Sequence, residues 1–370
     1  MGKKLLRRAG RLLALVSAAL LLVLLGMLVL PLTEGADTTP VPGSTDWMAA
    51  LPDDTPLSAL VIPGTHDSAT QYVQLAYFSK CQALSVGKQL EAGFRYLDIR
   101  LGDGDKGGPP LLMHGFTKCK VSAFGAALTL DDVLADCCGF LARHPTETVL
   151  FVVKHEHGEK SDAAMAETLN AFIGARPQSW LVTDTMPTLG EARGKLVLLR
   201  RWEGGDGLPF LWEDQKGADD VSQNAAVTDE GAYRLWVQDR FEYGADDKWA
   251  AFTASLDAPR EAGDVLLSFL STKGTGTYGH PYRFAKRLNA QLLELDSAAL
   301  RGWIAVDFGS PKLAEHIYSA NFKQPERRIA AASLMRSRRG FLYSAAFRGS
   351  SRARNTTSSP REAHTSSTPS

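Results

Sequence analysis

The sequence predicts an α/β protein, an irregular (β/α)8 TIM-type barrel preceded by an N-terminal signal-anchor helix. Three observations carry that expectation. Eight short apolar runs punctuate the chain: Leu57–Ile62, Tyr96–Leu101, Leu111–Met113, Val149–Val153, Lys195–Leu199, Leu235–Val237, Val265–Leu270 and Trp303–Val306. Most are near-continuously hydrophobic, as parallel strands covered on both faces are. Several intervals between them read as helices: LDDVLADCCGFLARH with Asp131 and Asp132 in its first turn, AAMAETLNAFIGA, and AKRLNAQLLELDSAAL. Strands alternating with helices over residues 53–330 are the pattern of a single barrel. The interval between the second and third runs is a Gly/Pro loop, DGDKGGPP, too short for a helix, so the barrel is expected to be irregular.

The ends of the chain differ from this middle. Lys3, Lys4, Arg7, Arg8 and Arg11 precede an uncharged apolar run from Leu12 to Leu32, which exceeds a usual signal-peptide core and reaches bilayer-spanning length. Residues 1–37 therefore read as a basic cytoplasmic segment and a transmembrane or signal helix. Whether it anchors the chain or is cleaved, residues beyond 37 fall on the extracellular side, because positive flanks stay inside. Residues 38–52 are polar and Pro-containing and read as a linker. Residues 331–370 form a basic, Ser/Thr-rich tail, with a glycosylation sequon at Asn355, that cannot build a core.

Composition excludes some functions. With 41 basic and 41 acidic residues the formal net charge is zero, so no global field points to nucleic acid. The four cysteines, Cys81, Cys119, Cys137 and Cys138, suit an exported chain. They favour a structural disulfide between the Cys119 region and the Cys137–Cys138 pair, and they contain no CxxC metal motif.

The chemistry gathers at the ends of the runs. His66 and Asp67 follow the first, Asp98 and Arg100 end the second, and His114 follows the third. A parallel sheet places the ends of successive strands side by side, so these groups are expected around one small substrate. Two histidines flanking an arginine can move two protons across a phosphate and hold its charge, which suits phosphodiester cleavage without a metal. Asp98 and Arg100, two apart on a strand, face the same side. Lys154 is costly to bury unless paired, and Glu156 is its same-face neighbour. His155 and His157 flank Glu156 but lack a clear third ligand for a metal.

Seven motifs in order, IPGTHDS, YLDIRL, MHG, FVVKHE, GKLVLLRRW, LWVQDRF and IAVDFGS, resemble the phosphatidylinositol-specific phospholipase C X-domain family, in its bacterial-type, metal-independent branch. The resemblance spans roughly residues 55–315 and implies a membrane phosphatidylinositol substrate, no cofactor, no metal and a monomer. It implies His66 as general base with Asp307 as its orienting carboxylate, and His114 as general acid, held protonated by Asp98. Arg100 would supply the charge that calcium supplies in other relatives, with Asp67 orienting it and assisting the leaving-group side. Lys154, Arg201, Asp239 and Phe241 would form the inositol pocket, Arg200 competing with Arg201 and Arg240 adjoining Asp239. At Phe241 the family often has a tyrosine; phenylalanine keeps the stacking surface and loses the hydroxyl. Trp202 reads as a possible core residue, and Trp212 and Trp249 are candidates for contact with lipid at the barrel rim. Other readings of the same residues are a glycerophosphodiester or sphingolipid phosphodiesterase, or a silent lipid- or glycan-binding module.

Overall fold

The computed structural model describes residues 2–216, 226–230, 233–276 and 279–323. Its strands are β1 (Ile62–Thr65), β2 (Tyr96–Gly102), β3 (Leu111–His114), β4 (Thr117–Lys118), β5 (Val149–His157), β6 (Trp180–Leu181), β7 (Leu196–Arg200), β8 (Leu208–Pro209), β9 (Ala226–Glu230), β10 (Tyr233–Gln238), β11 (Val265–Phe269) and β12 (Trp303–Val306). They join in the order β6-β7-β5-β2-β1-β12-β11-β10-β9, with β8 also on β7. From β7 through β10 every pairing is parallel. This curled parallel sheet is the TIM-type barrel the sequence predicts. Among the described residues no ladder joins β8 to β10; Tyr233 bridges that seam by donating to the Pro209 carbonyl, and Gln215 Nε2 donates to Val237 O at 3.1 Å.

Two of the eight runs depart from expectation. Leu57–Ile62 is mostly a 3-10 turn, Leu57–Ala59, so the first strand begins only at Ile62. Leu111–Met113 is not a barrel strand: β3 runs antiparallel to β2 and forms a hairpin with β4. Eight loop residues cannot carry the crossover that a parallel neighbour requires, so the chain turns back. The eighth parallel position is taken instead by the short β8 on β7.

Alternation along the strands builds two cores. Ile62, Tyr96, Leu150, Val152, Val197, Leu199, Leu235, Val237, Leu267 and Trp303 fill the barrel. The helices in chain order are α1 (Gly2–Thr33), α2 (Ala76–Ser79), α3 (Val86–Glu91), α4 (Leu130–Arg143), α5 (Asp162–Ala175), α6 (Leu189–Ala192), α7 (Ala245–Asp257), α8 (Pro281–Glu294), α9 (Pro311–Tyr318) and α10 (Ala320–Lys323). The sequence neighbours of the core residues point outward. Leu97, Ile99, Phe151 and Val153 pack under α4 (Leu130–Arg143) and α5 (Asp162–Ala175). Leu266, Ile304 and Val306 pack under α7 (Ala245–Asp257), α8 (Pro281–Glu294) and α9 (Pro311–Tyr318). The helices start where their sequences supply caps: a Thr129–Asp132 capping box for α4, Ser161 for α5, and Ser310 followed by Pro311 for α9. Gly64 is required by packing, since a Cβ there would stand 2.7 Å from Tyr96 Cβ.

The linker assignment for residues 38–52 needs correction. Ser44–Ala50 forms a 3-10 helix whose Trp47 and Met48 are buried in the barrel core, with Trp47 stacked on Tyr318 at 5.0 Å. Two bulky apolar side chains in that stretch seek burial, and the open floor of the barrel supplies it. Beside this plug Arg95, wholly buried, pairs with Glu147 at 2.9 Å and donates to the carbonyls of Ser44, Thr45, Leu90 and Phe94.

The expected disulfide is absent: all four cysteines are free. Cys119 and Cys137 are fully buried and Cys138 packs beside them in the same apolar cluster, as small hydrophobes. Burial raises the Cys137 thiol well above its ordinary pKa.

The N-terminal apolar segment is one helix, α1 (Gly2–Thr33), with most of its apolar side chains from Leu6 onward exposed and long enough to cross a membrane over Leu6–Thr33. The predicted tail, 331–370, lies outside the described residues.

Candidate active site

The inward parity of each strand runs on through and past its C-terminal part, where water replaces the core and charged residues replace apolar ones. His66 follows Ile62 and Gly64 on this parity; Asp98 and Arg100 follow Tyr96; Lys154 and Glu156 follow Leu150 and Val152. Arg201 follows Val197 and Leu199, Asp239 and Phe241 follow Leu235 and Val237, and Asp307 follows Trp303 and Ala305. Together with His114, they converge on a cleft of ≈ 370 Å³. His66, Arg100, His114, Lys154, Arg201, Asp239, Phe241 and Asp307 line it, and Asp67 and Asp98 lie buried beneath.

Asp67 sits at the centre. Its Oδ1 is 3.1 Å from Arg100 Nε, and its Oδ2 lies 3.5 Å from His66 Nε2 and 3.3 Å from His114 Nε2. The two imidazoles are edge-on, with centroids 6.3 Å apart. Asp67 has φ 43°, a left-handed conformation uncommon outside glycine and held here by surrounding contacts. Its N–H donates to Asp98 Oδ2, and Ser68 Oγ accepts from Asp98 N at 2.8 Å.

His66 Nδ1 is 2.8 Å from Asp307 Oδ1. Burial works against a charged imidazole, but Asp307 and then Asp67 outweigh it and raise His66 to about 9. His114 Nδ1 donates to the Ser79 carbonyl at 2.7 Å, which turns Nε2 toward Asp67. Asp98 does not reach His114 as expected. It pairs with Arg100, Oδ2 lying 3.0 Å from Nη2 and 3.3 Å from Nε. Two strand residues on one side of β2 meet each other first, whereas His114 arrives on the reversed β3. Burial opposes the Asp98 carboxylate, yet Arg100, His66 and Arg201 bring it down to about 2. Burial and the neighbouring Asp98 push Asp67 up against the pull of Arg100 and both histidines.

Arg100 thus touches three carboxylates, the third being Glu156 at 3.2 Å from Nη1. These contacts use one N–H at each guanidinium nitrogen, and Nη1 and Nη2 each carry a second. Glu156 also pairs with Lys154 at 2.8 Å and accepts from Gly115 N at 3.1 Å. Its partnership with Lys154 is legible as i, i+2; the reach across to Arg100 is not. Gly115 has φ 54°, and a Cβ there would meet nothing, so the backbone conformation favours glycine.

In the outer cleft Arg201 stacks on Trp212, Cζ 3.6 Å from the ring centroid, and Trp212 Nε1 donates to Asp239 Oδ2 at 3.1 Å. Arg200 takes the other parity and donates to Trp202 O, while Trp202 is buried core. Arg240 likewise does not line the cleft. Trp212 is buried and Trp249 packs against the outer core, so neither is a rim tryptophan. The exposed apolar residues at the mouth are Leu75 and Phe116.

Sequence reasoning missed several positioning residues. Gln82 Nε2 donates to His66 O and Val306 O at 2.7 and 2.8 Å and its Oε1 accepts from Gly309 N, tying together the ends of β1 and β12. Gln89 binds Thr65 and Ser68 behind the first motif. Lys248, buried and pushed down to about 7, holds Gln238 and the Arg240 carbonyl. A polar residue inside a short loop or helix gives no local sign of such partners. Among the described residues His66, Asp67 and Cys81 also place one ligand atom each within 4.8 Å of one another. His155 pairs with Asp162 at 3.0 Å.

Residues 54–202 match the family model of the phosphatidylinositol-specific phospholipase C X domain. The chain is 25% identical over 282 residues to a 1-phosphatidylinositol phosphodiesterase of Staphylococcus aureus (strain Newman), covering 71% of this chain and 88% of that protein. It is 33% identical over 164 residues to a 1-phosphatidylinositol phosphodiesterase of Listeria monocytogenes, covering 41% of this chain and 47%, about half, of that protein. The fold is similar to a solved phosphatidylinositol-specific phospholipase C from S. aureus, with TM-score 0.62 and 22% identity over 74% of this chain and 97% of that one. Residues 54–202 thus match the phosphatidylinositol-specific phospholipase C X domain, and the barrel as a whole shares the fold of that solved structure.

Proposed function

We propose that this chain is an exported phosphodiesterase, anchored by its N-terminal helix, that cleaves phosphatidylinositol or its glycosylated form. The products would be diacylglycerol and inositol 1,2-cyclic phosphate. The observation that carries the reading is the placement of Asp67 and Arg100 between His66 and His114 in one cleft. The catalytic unit in this reading is the barrel with its floor plug, and α1 tethers it to the source of its substrate.

His66 Nε2 accepts the proton of the inositol 2-hydroxyl while Asp307 receives the Nδ1–H, so the oxygen attacks phosphorus. The bond to the diacylglycerol oxygen breaks, and that oxygen takes a proton from His114 Nε2, which Asp67 orients. Arg100 offers its remaining N–H groups to the phosphoryl oxygens as charge develops. Lys154, Arg201 and Asp239 face the polyol hydroxyls, and Phe241 supplies an apolar surface for the ring. The reaction needs no metal in this reading. Arg100, 3.1 Å from Asp67, supplies the positive charge beside the two histidines that a metal would otherwise bring.

The test is an assay of the full chain in detergent against phosphatidylinositol, a glycosylated phosphatidylinositol, sphingomyelin and glycerophosphodiesters, with and without EDTA. Cleavage of the inositol lipids to a cyclic phosphate, unchanged by EDTA, is expected. Cleavage confined to the other diesters, or restored only by calcium, would overturn the proposal.

A further inference from the structure

The apolar helix is not joined to the barrel through a free tether. Glu34, the first residue beyond α1, is buried, as is Pro31 in the last turn, although most of the helix before them is exposed. Its Oε1 lies 2.5 Å from His280 Nε2. Lys80 Nζ donates to Pro31 O at 2.6 Å and Glu34 O at 3.0 Å, satisfying carbonyls at the end of the helix where a cation is also favoured by the helix dipole. His280 is fixed in turn: Nδ1 is 2.7 Å from Tyr77 O, and its ring stacks on Tyr77 at 4.2 Å and 4°.

The residues receiving the helix belong to the cleft's own rim. His280 lies between Gly279 and Pro281, which both line the cleft, and Tyr77 lies between cleft-lining Leu75 and Phe78. Lys80 follows Ser79, whose carbonyl receives the His114 hydrogen bond. Because the chain is held at residue 34, the polar stretch that follows cannot give the barrel free rotation about its anchor.

We propose that Glu34, Lys80 and His280 form a joint that locks the base of the membrane helix to the rim of the cleft, so that its mouth faces the leaflet in which the helix is embedded. This rests on the reading of the chain as an anchored phosphatidylinositol phosphodiesterase. The joint's partner surface is a lipid bilayer, and Leu75 and Phe116 are the apolar side chains exposed at the mouth. Cutting the chain between α1 and Glu34 would remove this orientation while leaving the catalytic groups in place.

The test uses the full chain reconstituted in vesicles of phosphatidylcholine and phosphatidylinositol, with Glu34→Ala, His280→Ala and the double variant. Lys80 is left intact because of its neighbour Ser79. Two rates are read: cleavage of lipid in the protein's own vesicle, and turnover of a water-soluble inositol phosphodiester. Each variant is expected to lose about tenfold on the lipid while staying within about twofold on the soluble substrate, and the double variant to be no worse than either single, as for residues of one unit. Unchanged lipid cleavage, or equal loss on both substrates, would overturn the joint. A wild-type chain inactive on both would instead sink the functional reading. The joint is then read by limited proteolysis of residues 34–43 in the vesicle-bound protein, protected in the wild type and cut faster in Glu34→Ala; equal cutting refutes it.

Discussion

Arg95 and Arg100 stand five residues apart, one just before β2 and the other within it, and they serve opposite ends of the barrel. Arg95 closes the floor. It is fully buried, meets one carboxylate, Glu147, and gives its other donors to four backbone carbonyls of the plug and its surroundings. Arg100 stands at the mouth with 13% of its side chain exposed and three carboxylates around it. A cation surrounded by carbonyls is bound in place by a fixed scaffold. A cation surrounded by carboxylates at the wall of the cleft holds an excess of negative charge poised beside two histidines. The same side chain is a structural pin in one setting and a candidate phosphate-binding group in the other, and the difference lies in the neighbours.

Substitutions can break this comparison. The largest effect is expected at the mouth: His66→Ala and His114→Ala should each lower kcat on phosphatidylinositol by on the order of 10³-fold with an unchanged circular dichroism spectrum, since each removes a proton-transfer group. Near-wild-type turnover in either would dissolve the distinction drawn for the mouth. Arg100→Lys, which keeps a charge but not the planar fork, is expected to reduce kcat/KM by about 10²-fold. Arg95→Met should reverse the pattern. Stranding Glu147 in the core is expected to cost about 3–5 kcal/mol in urea unfolding, while the folded fraction keeps its kcat/KM. A variant that is stable but slow would show the floor to be part of the site.

Asp307→Asn sharpens the comparison through pH. His66 must be neutral to act as a base, and Asp307 helps raise it to about 9, so the acid limb of kcat/KM should climb through that region. Without the carboxylate the limb should move to lower pH, toward the ordinary histidine value, and the plateau should fall because the ring is less well held. A limb that stays in place would assign it to another group. The smallest effect is expected from EDTA, which should leave the initial rate unchanged.

How much of this was legible differs by level. The barrel and its principal helices follow from apolar runs and helical periodicity, which are local. Inward parity counted from the apolar core also selects Arg201 over Arg200 and Asp239 over Arg240, because alternation persists beyond the last ladder bond. The partner of His114 was not legible. Asp98 is near in sequence, but it shares the face of β2 with Arg100, while β3 runs backward and delivers His114 to Asp67. The plug at Ser44–Ala50 looked like a linker because the polar residues around Trp47 and Met48 mask two large apolar side chains. Cys119 and Cys137 invited a disulfide that the packing does not make.

By itself the sequence determined which chemical groups end the strands and in what order, because a group placed just beyond an apolar run must emerge where the barrel meets water. Tertiary structure alone decided which carboxylate serves which cation, that one oxygen of Asp67 faces both histidines, and that Glu34 is seated beside His280 at the rim. Those outcomes depend on ångström-scale distances between segments far apart in the chain. Only the curvature and register of the sheet set such distances.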